Sequence, residues 1–249
     1  MLSTGERSNV AAVDCLDETK SYDLVIVTTD AHQIEPLLAV LARSMAKSIQ
    51  FMFVTPEWRR LAEAVGSDRT TFGFAGALST FTPDGSLNLQ IPKRRPKAMH
   101  GDSRWVDVFE KAGMPSMFEQ DMGDRLRVQA PLLAAMESVA VASMRQGHGA
   151  TWAQARIGQR GLRAGAAVLR EVGGLTGKHT KTPMAGAPGP LLTIALWWIA
   201  SRSRFRFAIG TSAGEAAGLI DLLVAEARSR ANMSKYVQDL LSMRSELLP

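Results

Sequence analysis

Residues Asp121 to Met144 read DMGDRLRVQAPLLAAMESVAVASM. The stretch begins polar and basic, with Arg125 and Arg127 two positions apart. From Ala130 to Met144 it is apolar on nearly every side, interrupted only by Glu137, Ser138 and Ser143. A helix that is apolar all round belongs inside a protein. Pro131 predicts a kink, or the point where the regular helix begins. The expectation is a buried central helix whose N-terminal end aims its two arginines at a cleft, with the rest of the chain wrapped around it.

Upstream the pattern changes to strands. Asp23 to Thr29 (DLVIVTT) is a continuous, β-branched run, the signature of a strand buried on both faces of a parallel sheet. It passes into Gln33 to Ala46, where Ile34, Leu37, Leu38 and Leu41 keep helical spacing, and then into a second such strand, Ile49 to Val54. Asp23 to Val54 is therefore a β-α-β unit with a right-handed crossover. Glu57 to Val65 predicts a short helix stopped by Gly66, and Thr70 to Thr80 a further strand. Pro83-Asp84-Gly85 is a turn signal followed by alternating Leu87, Leu89 and Ile91, which predicts an antiparallel hairpin on the sheet edge. The basic loop Pro92 to Lys97 reads either as a solvated turn or as an anion patch. Ser103 is placed to cap a helix carrying Trp105, Val108, Phe109 and Ala112 on one face and ended by Gly113.

Downstream of residue 121 no strand pattern recurs. Thr151 to Val172 is a long helix stopped by Gly173-Gly174, and Leu175 to Pro190 is a loop rich in Gly, Pro, Thr and Lys. Leu191 to Ala200 (LLTIALWWIA) is far short of the roughly 20 residues that a membrane span needs; it is expected to be a buried helix, with an interfacial helix as the alternative because Arg202, Arg204 and Arg206 bound it. Ser212 and Glu215 form a capping box opening Ala213 to Arg230, and Ser234 to Met243 is a last helix. The shift near residue 120 divides the chain into a sheet-containing domain, 1–120, and a helical domain, 121–249. The fold class is α/β plus all-α.

Composition narrows the function. A chain of 249 residues with 46% hydrophobic and 21% charged residues can bury a core and is not disordered. Its 29 basic and 24 acidic residues leave +5, which favours anionic ligands but is not a nucleic-acid signature. The single cysteine, Cys15, fits a reducing, cytoplasmic setting, and residues 1–22 lack the apolar core of a secretory signal. His32, His100, His148 and His179 are scattered, without metal-ligand spacing, and read as surface residues. No nucleophile elbow, phosphate-binding loop or Ser-His-Asp order is present, and Gly161 to Gly165 lies within a helix pattern rather than after a strand. Neither a nucleic-acid nor a membrane partner is implied.

The order of these elements resembles the ketopantoate reductase (2-dehydropantoate 2-reductase) superfamily. Residues YDLVIVTTDAHQIEPLLAVL look like that family's aspartate-led strand running into a segment ending in glutamine, here Asp23 to Thr29 and Gln33. GFAGALSTFTPDGSLNLQIP matches its glycine-rich strand and turn, and Asp121 to Met144 its interdomain helix. Ser234 and Glu246, with Gln238-Asp239 between them, match the spacing of its substrate-binding serine and glutamate.

The resemblance implies a truncated Rossmann-type NADP-binding half joined to a helical half like the C-terminal domain of 6-phosphogluconate dehydrogenase. It implies reduction of a small 2-oxo acid, the chemistry of pantothenate biosynthesis; a truncated sheet exposes an edge, which predicts a homo-oligomer. It places Thr28, Thr29, Asp30, Gln33 and Thr55 at the cofactor, and Gln129, Ser234 and Glu246 at the substrate. The family's central-helix lysine, which polarises and protonates the ketone, falls on Arg125 or Arg127. Arg127 is preferred, because Arg125 then takes a position that is usually aromatic; an arginine binds a carboxylate but is a poor proton donor. The asparagine expected on that helix falls correspondingly on Gln129 or Pro131. The family's opening strand, GxGxxG turn and helix have no counterpart in the sequence. Asp30 stands where a lysine is expected, Thr55 where an asparagine is expected, and Asp30 would repel an NADP phosphate. Two functions follow: an NAD(P)-dependent reductase of this superfamily on a different substrate, or a non-catalytic relative serving as a binding or dimerisation module.

Overall fold

The computed structural model describes residues 11–76, 78–81, 87–90, 98–172, 187–209 and 213–247. The Pro83-Asp84-Gly85 turn, the Pro92 to Lys97 loop, His179 and the capping Ser212 lie outside the described residues.

The β-branched run forms β1 (Val25–Val27), which pairs in parallel with β2 (Ile49–Phe51), Val25 opposite Ile49 and Val27 opposite Phe51. Between them lie a 3-10 turn, Ala31–Gln33, and α1 (Glu35–Arg43), so the expected β-α-β unit is present. Ile34, Leu38 and Leu41 are buried at helical spacing, while Leu37 points outward. After α2 (Trp58–Val65), β3 (Thr70–Phe74) adds in parallel to β2. Gly66 ends α2 at φ 116°, a conformation that a side chain would strain.

Past β3 the structure departs from the sequence expectations. The strand expected over Thr70 to Thr80 is two strands. The second, β4 (Leu78–Phe81), pairs with β5 (Leu87–Gln90) in a separate antiparallel ribbon rather than on the sheet edge. The place beside β3 is taken by β6 (Ala98–His100), antiparallel to it. After α3 (Ser103–Lys111), β7 (Ser116–Phe118) pairs in parallel with β6. Both β6 and β7 are three residues long, too short to show a period in sequence. The helix α3 is capped by Asp102, not Ser103: the Asp102 carboxylate accepts from the Arg104 N–H at 2.9 Å. The sheet order is β1-β2-β3-β6-β7. Its core is aromatic, with Phe51 edge-on to Phe53 at 5.7 Å and stacked on Phe72 at 5.6 Å.

Arg69 ties the helices of this sheet together. Its guanidinium donates to the carbonyls of Leu41, Ala42, Ser44, Ala46 and Val65, at 2.6 to 3.1 Å. These are the C-terminal ends of α1 and α2, where carbonyls have no helical partner and the dipole favours a cation.

Among the described residues that follow, the elements are helices: α4 (Met122–Arg145), α5 (Trp152–Glu171), α6 (Gly189–Ser201), α7 (Ser203–Ile209), α8 (Ala213–Arg228) and α9 (Ser234–Ser245). The helix α4 continues through Pro131, which therefore does not mark its start. Thr151 opens α5 with a capping box closed by Gln154. The glycines of α5 are packing contacts: a Cβ on Gly158 would sit 2.6 Å from Val139 Cγ2, one on Gly161 2.5 Å from Met243 Sδ, and one on Gly165 3.0 Å from Pro131 Cβ. Small residues here let α4, α8 and α9 approach α5 closely. The helix α6 is not buried as expected. Leu192, Leu196 and Ala200 are covered, but Leu191, Ile194, Trp197 and Trp198 face outward.

By packing, the chain forms two compact units. One comprises residues up to Phe53 and from Glu57 to Gly123; the other comprises Val54–Pro56 and the residues from Asp124 onward. No helix among the described residues is long and apolar enough to cross a membrane.

Candidate functional site

In an open α/β sheet, ligands bind beyond the carboxyl ends of parallel strands. Those of β1 and β2 lie side by side, the Met52 N–H donating to the Val27 carbonyl at 2.9 Å. Thr28, exposed, and Thr29 and Asp30, half-buried, follow β1 directly. Thr29 Oγ1 is buried with no hydrogen-bond partner, a hydroxyl left for a ligand or water to satisfy. Gln33 is engaged locally: its Oε1 accepts from the Asp30 N–H at 3.2 Å and closes the turn. Thr55, fully buried, lies in the Val54–Pro56 segment and packs with the second unit.

The first turns of α4 separate the two arginines. Residues two apart on a helix point about 200° away from each other, so Arg125 and Arg127 cannot face the same site, whereas residues four apart share a face. Arg127 is only 5% exposed; it lies on the covered side with Ala130, Pro131 and Ala134. Arg125 and Gln129 are four apart and both half-buried, on a stripe continued by Leu132 and Met136. Gln129 Oε1 is buried with no hydrogen-bond partner. Arg125 and Gln129 thus place a cation and an unsatisfied amide acceptor on one face, where a hydroxyl of a bound molecule would donate to Gln129 Oε1.

Ser234 is exposed at the start of α9, and Glu246, half-buried, follows its last turn. Twelve residues of helix separate them by about 18 Å, so a small molecule can touch one of them but not both. The Glu246 carbonyl accepts from Arg145, which fixes the C-terminal end of α9 to α4.

One polar cluster escaped the sequence reading. His100, expected at the surface, is completely buried, as is Gln50 in the middle of β2. Gln50 Nε2 donates to His100 Nδ1 at 2.7 Å, which leaves the neutral ring's proton on Nε2. Phe109 packs on the ring at 4.5 Å between centroids. Burial holds the imidazole below its ordinary value, opposed by the nearby Asp102 carboxylate. The clue was Gln50 itself: a polar residue inside the otherwise apolar run IQFMFV needs a buried partner.

An open groove of about 460 Å³ lies between α5 and α9, lined by Arg160, Arg163, Arg170, Tyr236 and Asp239 among others. Its groups largely satisfy one another or neighbouring backbone. Arg160 pairs with Asp239 at 3.3 Å, Arg163 donates to the Ala187 carbonyl, and the Tyr236 hydroxyl donates to Glu171. Among the described residues, no group of three His, Cys, Asp or Glu side chains could hold a metal ion.

No protein-family model matches the chain, and no curated protein matches it. Solved structures do. The 2-dehydropantoate 2-reductase of Geobacter metallireducens is 13% identical, with a TM-score of 0.61 over 90% of this chain and 76% of its own. The dimeric ketopantoate reductase of Staphylococcus aureus is 10% identical, with a TM-score of 0.59 over 92% and 80% of the two chains. D-mandelate dehydrogenase in complex with NADH is 10% identical, with a TM-score of 0.61 over 90% and 77%. A parallel-stranded sheet followed by a helical unit is thus shared across nearly the whole chain, while its side chains have diverged. This chain has the fold of the ketopantoate reductases and the related D-mandelate dehydrogenase.

Proposed function

We propose that this protein is an NAD(P)H-dependent oxidoreductase that reduces a small 2-oxo acid or related carbonyl, with Arg125 and Gln129 as the groups that hold the substrate. The observation that carries this reading is the pairing of Arg125 and Gln129 on one half-buried face of α4, with the Gln129 acceptor unsatisfied. Of the two registers that the sequence leaves open, only this one puts the arginine and an amide four residues apart. Arg125 binds the substrate carboxylate and polarises its carbonyl; it stays charged and does not donate the proton, which solvent water delivers to the alkoxide left by hydride transfer. Arg127 acts as a buried support for the helix, and Ser234 and Glu246 serve opposite ends of α9.

A dinucleotide fits the carboxyl ends of β1 and β2 in part. Thr28 and the unsatisfied Thr29 hydroxyl suit ribose and amide groups, whereas the Asp30 carboxylate disfavours the extra phosphate of NADP. Bound there, the nicotinamide would supply the hydride. The protein acts in the cytoplasm and self-associates through an outer strand of its sheet, a surface with unpaired backbone groups; a monomer by light scattering at high concentration would remove that element.

The test is titration with NADH and NADPH, followed by a screen of 2-oxo acids on wild type, Arg125→Ala and Arg127→Ala. Saturable micromolar cofactor binding, about −8 kcal/mol, with turnover abolished in Arg125→Ala, is the expected result. The absence of cofactor binding at millimolar concentration would leave the second reading, a non-catalytic binding or dimerisation module. That reading draws on one observation: Gln33 is committed to the Asp30 turn, where a cofactor would need it.

A further inference from the structure

We propose that the outer face of α6, with the start of α7, is a docking surface for a bilayer carrying anionic head groups. The helix is apolar on two sides. Its inner side, Leu192, Leu196 and Ala200, is covered, while Leu191, Ile194, Trp197 and Trp198 on the outer side are 40–58% exposed. At 3.6 residues per turn, Leu191, Ile194, Trp198 and Arg202 fall within about 80° of one another, a single stripe along the helix. Phe207 on α7 is also exposed, and Trp152 lies at the same end of the α5–α6 pair, where Gly149 meets Ser201. Soluble proteins rarely leave such a row of large apolar side chains in water without a use.

Charge selects the occupant. From Val172 to Gly214 the sequence contains no Asp or Glu but carries Lys178, Lys181, Arg202, Arg204 and Arg206. Two of these cations sit on the aromatic groups themselves: the Arg202 guanidinium lies 3.9 Å from the Trp198 ring centroid and that of Arg206 5.6 Å from Phe207. A second copy of the chain docking here about a two-fold axis would bring arginines toward arginines, with no carboxylate in the segment to answer them. The patch is also small. Counting half of each of its five large side chains gives roughly 450 Å², against about 800 Å² per partner in a stable interface.

Tryptophan, leucine and phenylalanine beside arginine form the composition that settles into the head-group boundary of an anionic leaflet. The 13-residue helix is about 20 Å long, too short to cross a bilayer but long enough to lie along one. This takes up the interfacial alternative that the sequence leaves beside a buried helix, and it is independent of the reductase reading.

The test is co-sedimentation of the full chain with vesicles of pure phosphatidylcholine and of phosphatidylcholine containing about one third phosphatidylglycerol, with tryptophan emission as a second readout. Binding to the anionic vesicles with a blue-shifted emission is expected, tighter than to neutral vesicles by roughly 30-fold for two arginines at the surface and weakened by salt. Arg202→Glu with Arg206→Glu should abolish that preference, and Trp197→Ser with Trp198→Ser should abolish binding. Circular dichroism serves to check that both variants keep the wild-type fold. Failure of the wild type to bind anionic vesicles would overturn the proposal, as would binding that survives the serine pair. A lipid-free dimer that Trp198→Ser dissociates would also overturn it, by assigning the face to a second copy.

Discussion

Gly158→Ala puts the α4–α5 crossing to a quantitative test. In an ordinary exposed helix, glycine to alanine stabilises by about 1 kcal/mol, because glycine loses more backbone freedom on folding. At Gly158 the new methyl would stand 2.6 Å from Val139 Cγ2, about 1 Å inside normal carbon–carbon contact, with the Ala135 carbonyl at 3.5 Å. Val139 cannot turn aside easily, since a β-branched side chain in a helix has one strongly preferred rotamer. Over-packing of this kind costs about 1–3 kcal/mol. Net of the propensity gain, the substitution should destabilise by up to about 2 kcal/mol, lowering Tm by as much as roughly 4–8 °C for a chain of this size. The assay is thermal unfolding by circular dichroism at 222 nm for wild type, Gly158→Ala, Val139→Ala and the double variant. Removing the valine methyls costs about 2 kcal/mol through the cavity. In that background alanine at 158 should become stabilising, a coupling of opposite sign that only a direct contact produces. If Gly158→Ala alone raises Tm, or the two substitutions simply add, the close crossing inferred from the glycines is wrong.

Further outcomes are expected elsewhere in the molecule. His100 is held neutral by burial, so its folded pKa lies below the ordinary value of 6.5, and the unfolded chain binds the extra proton first. Stability from this residue is therefore complete above about pH 6.5 and is lost as the pH falls below it; Tm measured from pH 7.5 to 5.5 should drop, and His100→Gln should flatten the profile over that range. The carboxylates held low by ion pairs, such as Asp102 beside Arg104, lose their contribution only at more acidic pH and do not confuse the reading. Arg69→Ala should destabilise by about 2–3 kcal/mol in urea unfolding, because it strips partners from carbonyls at the ends of α1 and α2. Arg69→Lys should recover only part of this, since one ammonium cannot span carbonyls from two helices; full recovery would show that charge alone matters there.

Much of the fold was legible because its signals are local and repeated. The β-branched run at Val25–Val27, the helical spacing of Ile34, Leu38 and Leu41, and the glycine stops at Gly66 and Gly113 each act over a few residues. So do the Thr151–Gln154 capping box and the long apolar run of α4. What tertiary structure alone decided lies between distant segments. Strands β6 and β7 are too short to show a period; β6 pairs on the edge that β3 offers and β7 on the edge of β6, while the β4–β5 ribbon stands apart from the sheet. His100 looked like a surface residue because its partner, Gln50, lies fifty positions away on another strand. Nor does spacing show that Arg127 is buried while Arg125 is half-buried: which side of α4 is covered depends on where its neighbours pack, α5 among them at Gly158 and Gly165. The apolar run of α6 left a buried and an interfacial helix both open: composition sets how much of a helix can be buried, while the number of neighbours that arrive to bury it is a property of the assembled chain.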